Sequence, residues 1–284
     1  NYCYVLYIVF SIFTLYNQDF LFKNKPVKTK QVLLSALLFL SACTAFAWGP
    51  KGHAVVADVA ASHISRKAAK KIENILDGHT MVDVSSWMDG LRGIPKYEHV
   101  RTWHYLNIDP GYTYETMEKN PAGDVYIKLF HVIEQLKSGK LSHEDEKDYL
   151  RFLIHMVGDL HCPMHAGYRF DVGGNLHDVQ WFGKPTSLHS VWDSKLIESC
   201  RPWSYSEWTE NIDITDKKEI RRITGSPIDA WRDECLVVRD DIYANSPKGA
   251  DLSYAYCEKY AVAVQKQLLY AGLRLAMLLD EIYK

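Results

Sequence analysis

Two segments of the chain carry a His and an Asp four residues apart. They are His155-Met-Val-Gly-Asp159, with His165 six residues further on, and His189-Ser-Val-Trp-Asp193. On a helix, positions i and i+4 share one face, a turn apart. Two such pairs from two helices can converge inside a bundle, where di-metal carboxylate proteins build their sites. Imidazole and carboxylate together suit zinc, at ligand distances of about 2 Å. One His–Asp pair at this spacing is more often a surface hydrogen bond. Two pairs and His165 together favour a metal.

Further candidates lie upstream. His53 ends Trp48-Gly-Pro-Lys-Gly-His53, just ahead of an amphipathic run from Ala54 to Leu76. Asp89 ends Ser85-Ser-Trp-Met-Asp89, with Arg92 three residues later, and His104 sits in Trp103-His-Tyr-Leu-Asn107. Singly, these read as a helix-start residue, a cap and a packed core histidine. Together they read as parts of one site.

At this point the chain resembles a known family, the single-strand-specific zinc nucleases of fungi and plants, whose superfamily also holds bacterial zinc-dependent phospholipase C. The motifs that carry the resemblance are Trp48-Gly-x-x-Gly-His53, Trp87-x-Asp89-x-x-Arg92, Trp103-His104-Tyr105, His155-x3-Asp159-x-His-x-Pro-x-His165, Gly173-Gly-Asn175 and Leu188-His189-x-Val-Trp-Asp193. They occur in the family's order over about 48–193. The C-terminal third fits by helical character alone. No single motif is specific; the combination is.

The resemblance implies three zinc ions per chain. Asp89, His104, His155 and Asp159 would hold one. The Trp48 amine and carbonyl, His53 and a bridging Asp159 would hold the second, and His165, His189 and Asp193 the third. Zinc lowers the pKa of bound water towards about 7. Asp159 and Arg92 would be the catalytic residues, Arg92 acting on the charge of the pentacoordinate phosphoryl group. Tyr105, Asn107 and Asn175 would contact substrate, Tyr105 by stacking on an exposed base. Asn107 stands where fungal members carry an acidic base-reader, which leaves base preference open. The implied activity is hydrolysis of single-stranded DNA or RNA to 5′-phosphate products, with 3′-nucleotidase activity, by a monomer needing no protein partner. Phospholipase C is the alternative within the superfamily, but it uses a longer gap between the first Trp and His and ends with Glu rather than Asp193. A non-catalytic periplasmic zinc-binding protein is the alternative of another class.

The elements that must position these residues read as helices. Apolar positions mark Ala54–Leu76, Asp124–Leu136, Glu144–Leu160, Leu188–Ile197 and Tyr254–Ile282. The Gly-rich stretch from Gly173 to Gly183 suggests one short β-hairpin, and Pro227 and Pro247 punctuate loops before the last helix. The fold class is therefore all-α, a single helical domain of the phospholipase C/zinc nuclease type over 48–284.

Ahead of it, residues 27–47 read as a signal peptide. Lys28 and Lys30 precede an apolar Val32–Leu40, and Ala45-Phe-Ala47 is a cleavage site that would make Trp48 the mature terminus. Leu40-Ser-Ala-Cys43 is a competing lipoprotein box, the one route to a membrane anchor in the mature protein. Residues 1–26 read as translated upstream sequence of a bacterial gene, with a membrane anchor over Tyr2–Phe22 as the alternative. An exported protein, periplasmic or secreted, is the expectation. Without the leader's four Lys and one Asp, 29 basic side chains face 34 acidic ones, a net charge of −5. That makes a poor non-specific duplex binder. Cys162, Cys200, Cys235 and Cys257 remain, with three possible pairings. Cys162 reads as a buried small side chain.

Overall fold

The computed structural model describes residues 48–284; the readings placed on residues 1–47, including the signal peptide and Cys43, lie outside the described residues. Helix α1 is Pro50–His63 and α2 is Arg66–Ile75. One continuous helix was expected here. The break falls at Ile64, which is extended (φ −71°, ψ 151°), and at Ser65. The Ser65 side chain accepts from the amide of Ala68, capping α2, while its own amide donates to Asp280 Oδ1 at 2.9 Å. A capped start and a tertiary anchor outweigh the unbroken apolar pattern.

A short α3, Met81–Val84, leads through two 3-10 turns, Trp87–Leu91 and Pro95–Val100, to α4, Val125–Ser138. Asp124 caps α4 by accepting from Ile127 N, so the helix begins one residue later than the sequence suggests. Helix α5, His143–Leu160, starts on Ser142 and carries Glu144, Asp145 and Glu146 at its positive end. Every residue from Phe152 to Leu160 is buried. A helix buried on all sides is central, and the ionisable groups it carries inward, His155 and Asp159, need partners there.

After the 3-10 turn Pro163–Ala166, β1 (Asp178–Trp181) and β2 (Lys184–Ser187) form the expected hairpin. Its turn residues Phe182 and Gly183 both have positive φ, 50° and 72°, the geometry that matches strand twist. Ser187 then caps α6, which begins as α-helix over Leu188–Ser190 and continues as π-helix over Val191–Cys200.

The C-terminal third holds α7 (Tyr205–Ile212), α8 (Lys217–Thr224), α9 (Ile228–Ala244) and α10 (Tyr254–Tyr283). Pro227 is therefore a helix start rather than loop punctuation; it sits where a missing amide costs nothing. A third strand, β3 (Asp251–Leu252), pairs parallel to β1 and was not expected. Helix α10 lies against α1: a Cβ on Gly272 would collide with the Val59 side chain, so the glycine permits the close approach. Cys200 and Cys257 are bonded, tying α6 to α10, while Cys162 and Cys235 are free and buried. Closing a loop with a sequence separation of 57 is worth ~4 kcal/mol in the chain-entropy account.

Candidate metal centre

Helix α5 supplies the floor of the site. His155 and Asp159, one turn apart and fully buried, face the same way, with His155 Nε2 3.1 Å from Asp159 Oδ2. From α1, His53 Nε2 lies 3.3 Å from Asp159 Oδ1. From the loop after the second 3-10 turn, His104 Nδ1 lies 3.1 Å from both Asp159 Oδ2 and His155 Nε2. Asp89, on the first 3-10 turn, places Oδ1 3.6 Å from His155 Nε2 and 3.9 Å from His104 Nδ1. His165, His189 and Asp193 form a neighbouring group whose ligand atoms lie within 4.8 Å of one another. It is linked to the first through His165 Nδ1, 3.6 Å from Asp159 Oδ1. Trp48 is buried beside this group, the amide of Gly49 donating to Asp193 O at 2.6 Å.

Backbone carbonyls set the histidine tautomers. The Nδ1 atoms of His155, His165 and His189 donate to Ser85 O, His104 O and Gly173 O at 2.9, 2.6 and 2.8 Å. That leaves each Nε2 to serve as a lone-pair donor once the ring is neutral, the usual arrangement of metal-binding imidazoles. Of the 14 buried side-chain N and O atoms without a hydrogen-bond partner among the described residues, six belong to this site: two each on His53 and Asp89, one each on Asp159 and Asp193. Buried polar groups are otherwise nearly always satisfied. Orphaned nitrogens and carboxylate oxygens facing one another fit metal ions, and the donor set fits zinc.

The comparisons with known proteins agree. The S1/P1 Nuclease family model matches residues 48–284. The chain belongs to the S1/P1 nuclease family. It is similar to Endonuclease 2 of Arabidopsis thaliana, 26% identical over 92% of this chain and 99% of that protein. It is likewise similar to Nuclease S1 of Aspergillus oryzae, 28% identical over 87% and 96%, and to Nuclease P1 of Penicillium citrinum, 25% identical over 83% and 98%. As a member of this zinc-dependent family it is a nuclease, and the clustered His and Asp residues are its candidate metal ligands.

The electrostatics of this nuclease centre are set by burial and by its facing carboxylates and imidazoles. Burial alone would lower His155, but the carboxylates of Asp159 and Asp89 outweigh it and push it up to about 9. Burial works to raise Asp159, yet His155 and His165 hold it well below the carboxylate range. Burial raises Asp193 well above that range, offset only in part by the Ser194 hydroxyl. Burial lowers His165 to about 4.

A cleft of about 440 Å³ opens over the centre, and His104, His165 and His189 form part of its wall. Arg92, Tyr105, Asn107 and Asn175, all singled out from the sequence, line the same cleft. Tyr105 is 38% exposed there, so it is not a core aromatic. Three cations that no motif marked, Arg101, Lys119 and Arg169, line it too, so that with Arg92 its cationic side chains outnumber its two carboxylates, Glu118 and Asp124. His161, which the sequence places beside the ligands, turns away. Its Nδ1 donates to Val157 O and its Nε2 accepts from Arg274 Nη1 at 2.9 Å, so it braces α10. No sequence signal marks the orienting carbonyls. Gly158 could have been noticed, as the one residue without a side chain between the two α5 ligands.

Proposed function

We propose that the mature protein hydrolyses phosphodiester bonds of single-stranded DNA and RNA to 5′-phosphate products and removes phosphate from 3′-nucleotides, with three zinc ions per chain. The observation that carries this reading is the convergence of eight buried His and Asp side chains, with six orphaned polar atoms, beneath one cation-lined cleft. Asp89, His104, His155 and Asp159 would hold one zinc. Trp48, His53 and Asp159 would hold the second, and His165, His189 and Asp193 the third. His53, Asp89 and His155 have ligand atoms within 4.8 Å of one another, as do His104, His155 and Asp159, and His53 also reaches Asp159, compatible with Asp159 as the bridge.

When bound, zinc supplies Lewis acidity and a water acidic enough to act at neutral pH. The chain's own groups do the rest. Arg92 donates to the non-bridging oxygens of the scissile phosphate, which carry the growing charge. Tyr105 stacks on an unpaired base, a contact of about 1–3 kcal/mol that any sequence can make. A paired base keeps its faces within the duplex, and the net negative charge repels a duplex elsewhere on the surface. Asn107 and Asn175 offer amides to the base and sugar. We further propose export with cleavage after Ala47, a periplasmic or secreted location, and a monomer.

Elemental analysis of protein beginning at Trp48, paired with cleavage assays on single-stranded DNA, RNA, 3′-nucleotides and phosphatidylcholine, tests the reading. Three zincs per chain, with turnover of the first three substrates, is the expected result. Zero or one zinc in folded, active protein would end the trinuclear proposal; turnover of phosphatidylcholine alone would end the nuclease one.

A further inference from the structure

The loop that borders the cleft carries an exposed aromatic that the reading above does not use. Phe170 is 63% exposed and lies in sequence between two cleft-lining residues, Arg169 and Val172. Its mount is rigid. The amides of Arg169 and Phe170 both donate to Asp109 Oδ1, at 2.6 and 3.1 Å. Beneath them, buried Arg239 donates to Ile108 O and Ala166 O, at 3.0 and 2.8 Å, tying the two loops together. The ring ends a stack. Tyr243 lies on Tyr168 at 3.9 Å with planes 24° apart, and Tyr168 lies on Phe170 at 5.4 Å and 28°. Val172 is held at φ 57°, an unfavourable conformation for a β-branched residue, with Gly173 and Gly174 also at positive φ. The Arg169 guanidinium lies 2.8 Å from Glu118 across the cleft mouth, an exposed pair that an incoming anion can displace.

A large apolar ring left in water on a braced loop, beside an arginine, has the chemistry of a single-strand contact: a π-face for a base and a cation for its phosphate. We propose that Phe170 stacks on a base of the substrate strand beyond the nucleotide at the metal centre, with Arg169 on the adjoining phosphate, so that the pair sets a preference for longer strands. This rests on the nuclease reading.

The test compares wild type, Phe170→Ala, Phe170→Trp and Arg169→Ala on a deoxythymidine dodecamer and on a dinucleotide, with zinc content and melting temperature measured for each. Phe170→Ala should raise KM for the dodecamer about 10-fold with kcat unchanged, and leave the dinucleotide unaffected. Phe170→Trp should keep the wild-type KM. Arg169→Ala should flatten the salt dependence of dodecamer binding by about 0.7 in log–log slope. An unchanged dodecamer KM in Phe170→Ala, or an equal rise for the dinucleotide, overturns the proposal. If wild type cleaves neither substrate, the nuclease reading fails by itself. Fluorescence anisotropy of a labelled phosphorothioate dodecamer then decides this inference: weaker binding by Phe170→Ala supports it and equal binding overturns it.

Discussion

The imidazole of His53 lies flat on that of His155, ring centroids 3.9 Å apart and planes 15° apart, both fully buried. Two protonated rings so placed would repel strongly. Burial, and then the charge of His155, hold His53 below its ordinary range, so it offers a neutral nitrogen to the Asp159 side of the site. The stack brings α1 and α5 to the same carboxylate, which is what a bridging Asp159 requires.

Gly158 makes that stack possible. A Cβ there would lie 2.8 Å from His53 Nδ1 and 3.0 Å from Cε1, on a ring with no room to move away. Gly158→Ala should therefore displace His53, cost ~1–3 kcal/mol of stability as overpacking does, and lower zinc occupancy. Zinc content and thermal melting check it. Full occupancy with full activity would mean that His53 is not a ligand.

The parts of this site that a sequence can show are those set by local spacing. His155 and Asp159 share a face because 3.6 residues make a turn, and α5 and α10 end within a residue or two of where their apolar patterns place them. What the spacing cannot show is decided by tertiary contact. The α1–α2 break depends on Asp280, more than 200 residues away in sequence. The tautomers depend on carbonyls of Ser85, His104 and Gly173, a group every residue has. The π winding of α6 and the two-residue β3 have no periodic signature. Arg101, Lys119 and Arg169 look like any surface cation until the fold brings them to one cleft.

The N-terminal segment is seated as tightly as the ligands. Trp48 is fully buried, and Gly49 is wedged against Ser194, where a Cβ would collide with its Oγ. Protein carrying extra residues ahead of Trp48 should bind one zinc fewer and lose most activity, because an amide nitrogen has no lone pair to give. Mass spectrometry of the terminus with metal analysis checks this. Equal zinc content for extended and Trp48-initiated protein would exclude amine ligation.

Zinc uptake should release protons. Metal ligands must be deprotonated to bind. In the metal-free protein burial opposes the charge on His155, but Asp159 and Asp89 prevail and hold it protonated up to about 9, while burial pushes Asp193 above the usual carboxylate range. At pH 7 the His155 proton must leave, so apparent affinity rises with pH until about 9 and falls below it. Calorimetric titration of zinc into chelator-stripped protein, in buffers of different ionisation enthalpy, should show net release of at least one proton per loaded chain. Heats independent of the buffer would show that the ligands are already deprotonated.

Arg92 is the sharpest test of the chemistry. It directly follows the 3-10 turn that carries Asp89 and precedes Gly93, whose φ of 78° turns the chain away. Its side chain lines the cleft along with His104, His165 and His189. A guanidinium so placed can meet two phosphate oxygens at once, which an ammonium cannot. If its hydrogen bonds form in the transition state, Arg92→Ala should lower kcat by about 10²–10³ with zinc content and melting temperature unchanged. Arg92→Lys should recover only part of the loss, since charge returns but the planar fork does not. An arginine serving only a surface ion pair would contribute under about 1 kcal/mol to stability and nothing to turnover. An Arg92→Ala protein with three zincs and wild-type kcat on single-stranded DNA would remove Arg92 from the reaction.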